Sequence, residues 1–188
     1  MAILNRTRLA KMRFASLGSR VSISDKASFY NCGNISLGDD VRIDDFCVIS
    51  AGPGGIFLGN HIHIAVSSSL IGAGAITLGD FVNLSSRVAI YSSSDDFSGE
   101  WMTNPMIPSH LTGVIHSDVT LGRHVVVGSG SVILPGVVLG DGVAVGALTL
   151  IKRNCDPFGV YGGVPARKIG ERKRRFLELE KQLGNTTG

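Results

Sequence analysis

The chain has 188 residues, enough for one compact domain but not for two. Glycine supplies 25 residues and charged residues only 18%, which excludes both a disordered chain and an ordinary layered fold. The net charge of +3 comes from the two ends of the chain, so a nucleic-acid groove through the nearly neutral middle is excluded as well.

Residues 1–20 form a basic N-terminal segment without the apolar stretch of a signal peptide. Elsewhere no apolar run approaches the roughly 20 residues that span a bilayer, so we predict no transmembrane segment and a cytoplasmic protein. Cys32, Cys47 and Cys155 are odd in number and lack C-x-x-C spacing, which indicates reduced thiols rather than disulfides or a zinc ribbon.

Large aliphatic residues recur at every sixth position through most of the chain. These anchors are Leu37, Ile43, Ile49, Leu58, Ile64, Leu70, Leu78, Leu84, Ile90, Leu121, Val127, Ile133, Leu139, Val145 and Ile151. A second column of small or β-branched residues stands four positions after most anchors, from Val41 to Thr149. Glycine follows many anchors directly, as at Gly38 and Gly128, which suits corners where a side chain would clash or φ must be positive.

A period of six with three anchors per group predicts a coil of about eighteen residues, made of three short strands and three tight turns. Neither helical periodicity nor plain strand alternation explains this spacing as well. Ile23 and Phe29 indicate an earlier partial rung. We therefore predict an all-β solenoid over residues 21–165.

The segments LG-x-x-V-x-I and VGSGSVI-x-PGVVLGDGVAVGA resemble the hexapeptide repeat of the left-handed parallel β-helix acyltransferases. The resemblance covers roughly residues 20 to 170. The segment YGGVPARKIGERKRR is similar to the G-x-P-A-x-x-I element of acetyltransferases of the maltose, galactoside and surface-polysaccharide type. The resemblance implies a left-handed parallel β-helix, assembly as a homotrimer, and acetyl-CoA as co-substrate.

No anchor can be placed between Ile90 and Leu121, which predicts a long inserted loop over residues 92–118. A long loop within a compact solenoid is usually functional. In sugar acetyltransferases of the family, a loop at the matching place builds the acceptor site against a neighbouring subunit, so Trp101 and His110 are candidate acceptor-binding residues. Residues 166–188 predict a short amphipathic C-terminal α-helix and tail, which we expect to cover the open end of the coil.

Acetyl transfer to a hydroxyl needs a base, and histidine is the usual one near neutral pH. In maltose and galactoside acetyltransferases the catalytic histidine lies five residues after the anchor that opens the loop, and the same count from Ile90 reaches Asp95. We therefore assign the catalytic base to His63, which should point out of the coil one rung from Asn83, an acceptor-side residue by resemblance. His110 is the second candidate for the base.

Asp95 and Asp96 are assigned to orienting the ring of His63 or to holding the acceptor. A carboxylate at this position suits a cationic amine as well as a hydroxyl, so N-acetylation stays open.

The acyl donor is assigned to the rungs near the C-terminal end of the coil, where small outward residues leave a groove for pantetheine. By resemblance, Ser129 and Ala147 supply backbone contacts to it. Four basic residues would face the phosphates of CoA, to which arginine forks are suited. They are Lys152, Arg153, Arg167 and Lys168.

Two other classes share this fold. A carbonic-anhydrase-like metal protein needs three histidine ligands, but His61 and His63 form only an H-x-H pair, and we expect no metal. A non-catalytic hexapeptide scaffold is disfavoured by the GGVPARKI ending.

We predict a cytoplasmic, acetyl-CoA-dependent O-acetyltransferase acting on a sugar of surface-polysaccharide or lipopolysaccharide biosynthesis. The alternative is N-acetylation of a nucleotide-linked amino sugar.

Overall fold

The computed structural model describes residues 2–186; Met1 and the last two residues of the predicted tail, 187–188, lie outside the described residues. A short helix α1, Arg6–Lys11, precedes the coil, and the side chain of Asn5 accepts a hydrogen bond from the Arg8 N–H at 2.9 Å, which caps its first turn. Leu9 is buried against the coil. The basic segment is therefore packed onto the N-terminal end of the core.

Short strands then follow one another up to the inserted loop. They are β1 (Ser16–Leu17), β2 (Ser22–Ile23), β3 (Ser28–Tyr30), β4 (Ile35–Leu37), β5 (Arg42–Ile43), β6 (Val48–Ala51), β7 (Ile56–Leu58), β8 (His63–Ile64), β9 (Ser69–Gly72), β10 (Ile76–Leu78), β11 (Asn83–Leu84) and β12 (Ala89–Tyr91). A 3₁₀ turn at Cys32–Asn34 lies between β3 and β4. β1 falls within the segment 1–20 and pairs with β4.

Strands β13 (Ser93–Ser94) and β14 (Ile115–His116) lie within the inserted loop. The chain then resumes the pattern of the coil. The elements after the loop are β15 (Val119–Leu121), β16 (Val126–Val127), β17 (Val132–Ile133), β18 (Val138–Leu139), β19 (Ala144–Val145), β20 (Leu150–Ile151), β21 (Gly159–Gly162), β22 (Arg167–Glu171) and α2 (Arg175–Thr186). β13 and β14 pair antiparallel and close the base of the loop.

Three parallel sheets form the sides of the coil, which makes about seven turns. Sheet I has the order β1-β4-β7-β10-β15-β18, sheet II begins β2-β5-β8-β11-β16-β19-β21, and sheet III has the order β3-β6-β9-β12-β17-β20. Each strand pairs with the strand one turn earlier and the strand one turn later. The predicted left-handed parallel β-helix with an inserted loop and a C-terminal helix is confirmed.

Burial follows the predicted register. Every predicted anchor is no more than 4% exposed, and the second column, from Val41 to Thr149, is buried with it. The anchors stack in register across the turns, as in Ile43, Ile64 and Leu84 of sheet II. The hydrophobic effect on these inward columns therefore holds the coil together.

Glycine at a corner can be required either because a side chain would clash with the next turn or because φ is positive, and the structure distinguishes these two reasons. A Cβ atom at Gly38 would lie 2.6 Å from the Gly59 carbonyl oxygen, and one at Gly128 would lie 2.4 Å from the Ala147 nitrogen. Glycine follows an anchor because the next turn approaches closely. Positive φ occurs farther along the corners and is often adopted by larger residues, such as His61 and Phe81.

The C-terminal region corrects one expectation. The open edge of sheet II is covered by β22, which pairs antiparallel with β21. Helix α2 instead packs along the corner between sheets I and II, where the Phe176 ring lies 4.8 Å from the ring of His124. Gly142 leaves room there, because a Cβ atom on it would lie 3.3 Å from Phe176.

Candidate functional site

Polar and small side chains line the corner between sheets II and III, which we call corner II–III. It is formed by the residues that follow five successive strands of sheet II, β5, β8, β11, β16 and β19. They are Asp44 and Asp45, Ala65 and Val66, Ser85 and Ser86, Gly128 and Ser129, and Gly146 and Ala147. Backbone hydrogen bonds stack these residues turn upon turn, for example from the Ser85 N–H to the Val127 oxygen at 2.9 Å. Successive turns are about 4.8 Å apart. The corner is therefore a straight track along the coil.

His63 stands at one end of this track, on the outer face of sheet II, and its side chain is 40% exposed. Its Nε2 lies 3.0 Å from Oδ2 of Asp44, one turn earlier, and its Nδ1 lies 3.0 Å from Oδ1 of Asn83, one turn later. The predicted neighbourhood of His63 and Asn83 is present. Within one chain, Asp44 and not Asp95 or Asp96 contacts the ring.

Asp44 is the most enclosed carboxylate of this cluster, with a side chain 16% exposed. Its Oδ1 accepts a hydrogen bond from Nε of Arg42 at 2.8 Å. Partial burial acts to raise the pKa of Asp44, but the hydrogen bonds and charges of His63 and Arg42 outweigh it, so the pKa is lowered. Asp44 is therefore an anion at neutral pH and can only accept hydrogen bonds.

Asp95 and Asp96 lie in the inserted loop and differ in their surroundings. Asp96 accepts hydrogen bonds from the backbone of Ser98, Gly99 and Trp101, at 2.9–3.3 Å, and from the Ser98 hydroxyl, and these bonds lower its pKa. Asp95 is exposed, and its carboxylate has no protein partner among residues 2–186. Asp96 thus shapes the turn, whereas Asp95 is available to a ligand.

The two predicted acceptor residues of the loop are both on its surface. Trp101 is 51% exposed and packs over Gly113, where a Cβ atom would come within 2.5 Å of the indole ring. His110 is exposed in the 3₁₀ turn Ser109–Leu111. The contacts that the described chain provides do not bring either residue to His63.

Ser129 and Ala147 face outward farther along corner II–III. The N–H groups of both residues lack an acceptor among the described residues, although their neighbours are bonded within the coil. The Ser129 hydroxyl also accepts from the Ser86 hydroxyl at 3.2 Å. Unpaired, outward N–H groups at successive turns can bind the amide oxygens of an extended chain.

A basic cavity of about 230 Å³ lies near the C-terminal end of the coil. Its lining includes Lys152, Arg153 and Arg167, together with Tyr161 and Ala166. None of the three cations has a carboxylate partner within the described chain. The cavity therefore concentrates uncompensated positive charge suited to phosphate groups.

Lys168, the fourth predicted phosphate contact, differs from the other three. Its Nζ lies 2.6 Å from Oε1 of Glu171 and 3.9 Å from Oδ2 of Asp156. The hydrogen bond to Glu171 raises the pKa of Lys168. Its charge is therefore largely compensated by neighbouring carboxylates.

The remaining histidines belong to other surroundings. His61 and His124 lie at the corner between sheets I and II, stacked on the two faces of Phe81 with ring centroids 4.7 Å apart. Among residues 2–186, no group of three His, Cys, Asp or Glu side chains has metal-binding geometry. The described part of the chain also has no helix long and apolar enough to cross a bilayer.

Sequence reasoning missed Arg42, Asp44 and Ser85. Asp44 lies 19 positions before His63, and Ser85 lies in the same corner column as Asp44. Both Asp44 and Ser85 directly follow an anchor of sheet II. Aligning the residues that follow these anchors, turn by turn, would have identified them as candidates.

Comparison with known proteins gives relatives along nearly the whole chain. The family described as bacterial transferase hexapeptide (six repeats) matches residues 118–153. The chain is 53% identical over 180 residues to a dTDP-4-amino-4,6-dideoxy-D-glucose acyltransferase of Escherichia coli, covering 96% of this chain and 94% of that protein. It is 28% identical over 152 residues to a putative lipopolysaccharide biosynthesis O-acetyl transferase, WbbJ, of Escherichia coli, covering 74% and 72%.

One solved structure is similar to this chain in fold along nearly its whole length. It is AntD, an N-acyltransferase from Bacillus cereus in complex with dTDP and 3-hydroxybutyryl-CoA, with a TM-score of 0.95 and 43% identity over 98% of this chain and 97% of that one. Further structures of AntD carry replacements of one serine and of one aspartate ten positions after it.

Proposed function

Because the chain belongs to the hexapeptide-repeat acyltransferases, we propose that it transfers an acyl group from acyl-CoA to the amino group of a nucleotide-linked amino sugar. The observation that carries the proposal is the 53% identity to a dTDP-amino-sugar acyltransferase, which extends over 94% of that protein's length. A nucleotide-linked amino sugar is the acceptor that the sequence analysis gave as the alternative to a sugar hydroxyl. The O-acetyl reading has support only from more distant relatives such as WbbJ.

The donor occupies corner II–III in this proposal. The phosphates of CoA lie in the basic cavity with Lys152, Arg153 and Arg167, and Lys168 contributes less because it is already paired. The pantetheine arm extends along the corner and bonds to the free N–H groups of Ala147 and Ser129. The thioester then lies one or two turns farther on, beside Ser85 and Asn83.

The acceptor approaches from the other side of the thioester. An amino sugar is a cation at neutral pH, and Asp95 offers a carboxylate that has no partner in the described part of the chain. Ser85 and Asp95 are ten positions apart, the spacing of the serine and aspartate replaced in AntD. We therefore assign Asp95 to the amine, with Trp101 and His110 of the loop contacting the sugar or nucleotide.

The reaction proceeds by direct transfer. The bound ammonium group first releases one proton to solvent, which leaves a lone pair on the nitrogen. The nitrogen then forms a bond to the thioester carbon and gives a second proton to His63. The carbon–sulfur bond breaks, and His63 returns that proton to the departing sulfur. An acyl-enzyme on cysteine is disfavoured, because burial and the nearby Asp156 raise the pKa of the Cys155 thiol to about 11. Burial also raises the pKa of Cys47.

A homotrimer completes the site in this proposal, with the loop of one subunit against corner II–III of the next. The loop carries apolar side chains in contact with solvent in the single chain, including Phe97 at 92% and Met106 at 87% exposure. Such a surface favours a protein partner. We further propose a cytoplasmic location, where nucleotide sugars and acyl-CoA are both available.

The decisive experiment is a matched acceptor assay on the purified protein with acetyl-CoA and 3-hydroxybutyryl-CoA. The acceptors are dTDP-4-amino-4,6-dideoxyglucose, the corresponding 4-hydroxy sugar nucleotide, and galactose. We expect thiol release and an amide product with the amino sugar alone. Ester formation on the hydroxyl acceptors would support the O-acetyltransferase instead, and absence of acyl-CoA binding would overturn both.

A further inference from the structure

We propose that Asp44 is a positioning residue for acyl transfer. It fixes the tautomer of the His63 ring, and through the ring it sets the orientation of the Asn83 amide. The inference rests on the proposed function and adds to it the residue that fixes the ring of the base. Asp44, His63 and Asn83 belong to three successive turns of the coil, and each contact between them is 3.0 Å long.

The chemistry of Asp44 determines which ring nitrogen carries the proton. An ionised carboxylate can only accept, so the 3.0 Å contact requires hydrogen on Nε2 of His63. In a neutral imidazole, Nδ1 then has the lone pair. Arg42 holds the other carboxylate oxygen of Asp44 at 2.8 Å, which prevents the carboxylate from turning away from the ring.

Nδ1 is the ring atom nearest to the proposed thioester position, since it faces Asn83 and Ser85 follows Asn83 by two residues. Asp44 therefore presents the basic atom of His63 toward the donor end of the corner. Without Asp44, the hydrogen could reside on Nδ1, and the lone pair would face away from the reaction.

The contact between Nδ1 of His63 and Asn83 couples the state of the ring to the orientation of the Asn83 amide. Nδ1 of the neutral ring has a single lone pair, so the NH₂ group of Asn83 replaces Oδ1 opposite it in the resting site. The N–H of the incoming amine displaces that NH₂ group before the proton moves to Nδ1. After Nδ1 takes the amine proton, it donates to Oδ1 of Asn83, and the NH₂ group turns outward toward the negative carbonyl oxygen of the intermediate. The proton then passes from Nδ1 to the CoA sulfur as the carbon–sulfur bond breaks, so the ring and the amide return to their starting states.

Few charges face this ring. Sheet II contributes Arg42 from β5, the turn after β5 contributes Asp44, and β11 contributes the neutral Asn83. The next residue in the column, Val126, is neutral as well. Asp44 is thus the only anion that contacts the ring within the described chain.

The test replaces Asp44→Asn, which keeps the size of the side chain, and uses Asp39→Asn as the matched control. Asp39 lies in the turn before β5, outside corner II–III, and its carboxylate accepts hydrogen bonds from the N–H and hydroxyl groups of Ser19. Its replacement therefore removes the same charge without touching His63. Three quantities are measured: acyl-CoA binding by calorimetry, kcat and KM for the amino sugar, and the tautomer of His63 in ¹⁵N-histidine-labelled protein. His63→Gln assigns the NMR signal.

We expect Asp44→Asn to bind acyl-CoA with unchanged affinity and to lose about 10- to 100-fold in kcat, with His63 no longer held as the Nε2–H tautomer. Asp39→Asn should match the wild type in all three. Unchanged kcat or an unchanged tautomer in Asp44→Asn overturns the inference while leaving the proposed function intact. If the wild type acylates no amine, the proposed function fails, and the tautomer still decides whether Asp44 fixes the ring.

Discussion

His124 of the coil donates a hydrogen bond from Nε2 to Oε2 of Glu180 in α2, a contact of 2.7 Å between residues 56 positions apart. Arg123 binds the other oxygen of the same carboxylate. Together with Phe176, which packs on His124, these contacts attach the C-terminal helix to the side of the coil. The helix is thereby held by both charge and aromatic packing.

This attachment should weaken in acid. The hydrogen bond from His124, with the charge of Arg123, lowers the pKa of Glu180 below its ordinary value of 4.5. A lowered carboxyl pKa stabilises the folded state above about pH 4.5, and the contribution is lost as the pH falls through the lower folded value. The difference in Tm between the wild type and Glu180→Gln should therefore be present at pH 7 and shrink as the pH falls below 4.5. Glu178→Gln, on the same helix, should show no such difference, and a pH-independent difference would contradict this account.

Gly128 should be intolerant of any side chain. Its Cβ would lie 2.4 Å from the Ala147 nitrogen, so Gly128→Ala must separate two turns and should cost about 1–3 kcal/mol in the free energy of unfolding. Because the shift lies between the proposed pantetheine contacts, acyl-CoA affinity should fall as well. Urea denaturation and calorimetry measure the two effects. Gly33→Ala is the control, since no atom lies within 4 Å of its Cβ position.

Arg167 should contribute to acyl-CoA affinity through its charge. Arg167→Gln removes one of the unpaired cations of the basic cavity, and loss of one charge-assisted contact to phosphate should raise Kd about tenfold. The effect should shrink at high salt, and calorimetric titration at two salt concentrations measures it. Lys173→Gln changes the net charge equally outside the cavity, and an equal loss in both variants would indicate only long-range attraction.

Asp95 should affect the acceptor and not the donor. Asp95→Asn keeps the shape of the loop but removes the carboxylate that holds the amine, so kcat/KM for the amino sugar should fall about 100-fold. The Kd of acyl-CoA should be unchanged. Glu100→Gln, another exposed acid of the same loop, should leave both constants at wild-type values. Full activity of Asp95→Asn would remove this residue from the site.

His63 should be required for turnover. His63→Ala should lower kcat by about two decades or more, with little effect on acyl-CoA binding, as expected for loss of a general base. Steady-state kinetics and calorimetry separate the two constants. His61→Ala, at the opposite corner, should retain kcat, and undiminished turnover in His63→Ala would exclude the assigned role.

Much of this fold is determined locally, because each turn of a solenoid repeats one pattern and contacts only its neighbours. The six-residue period therefore predicted which side chains are buried, from Leu37 to Ile151, and the gap after Ile90 predicted the inserted loop. The same register correctly predicted that His63 and Asn83 would be neighbours. The position of α2 was not predictable from its amphipathic pattern, because that pattern does not specify which surface the helix covers.

Tertiary structure alone determined what each polar group touches. Asp44, Asp95 and Asp96 are the same residue type in the sequence. Asp44 binds His63, Asp95 has no partner among residues 2–186, and Asp96 caps a turn. The difference arises from stacking, which places residues about twenty positions apart within hydrogen-bonding distance. The sequence by itself therefore determined the coil and the places where chemistry could occur, since hydrophobic burial follows a period. The tertiary structure decided which side chains could work together, since hydrogen bonds depend on distances between turns.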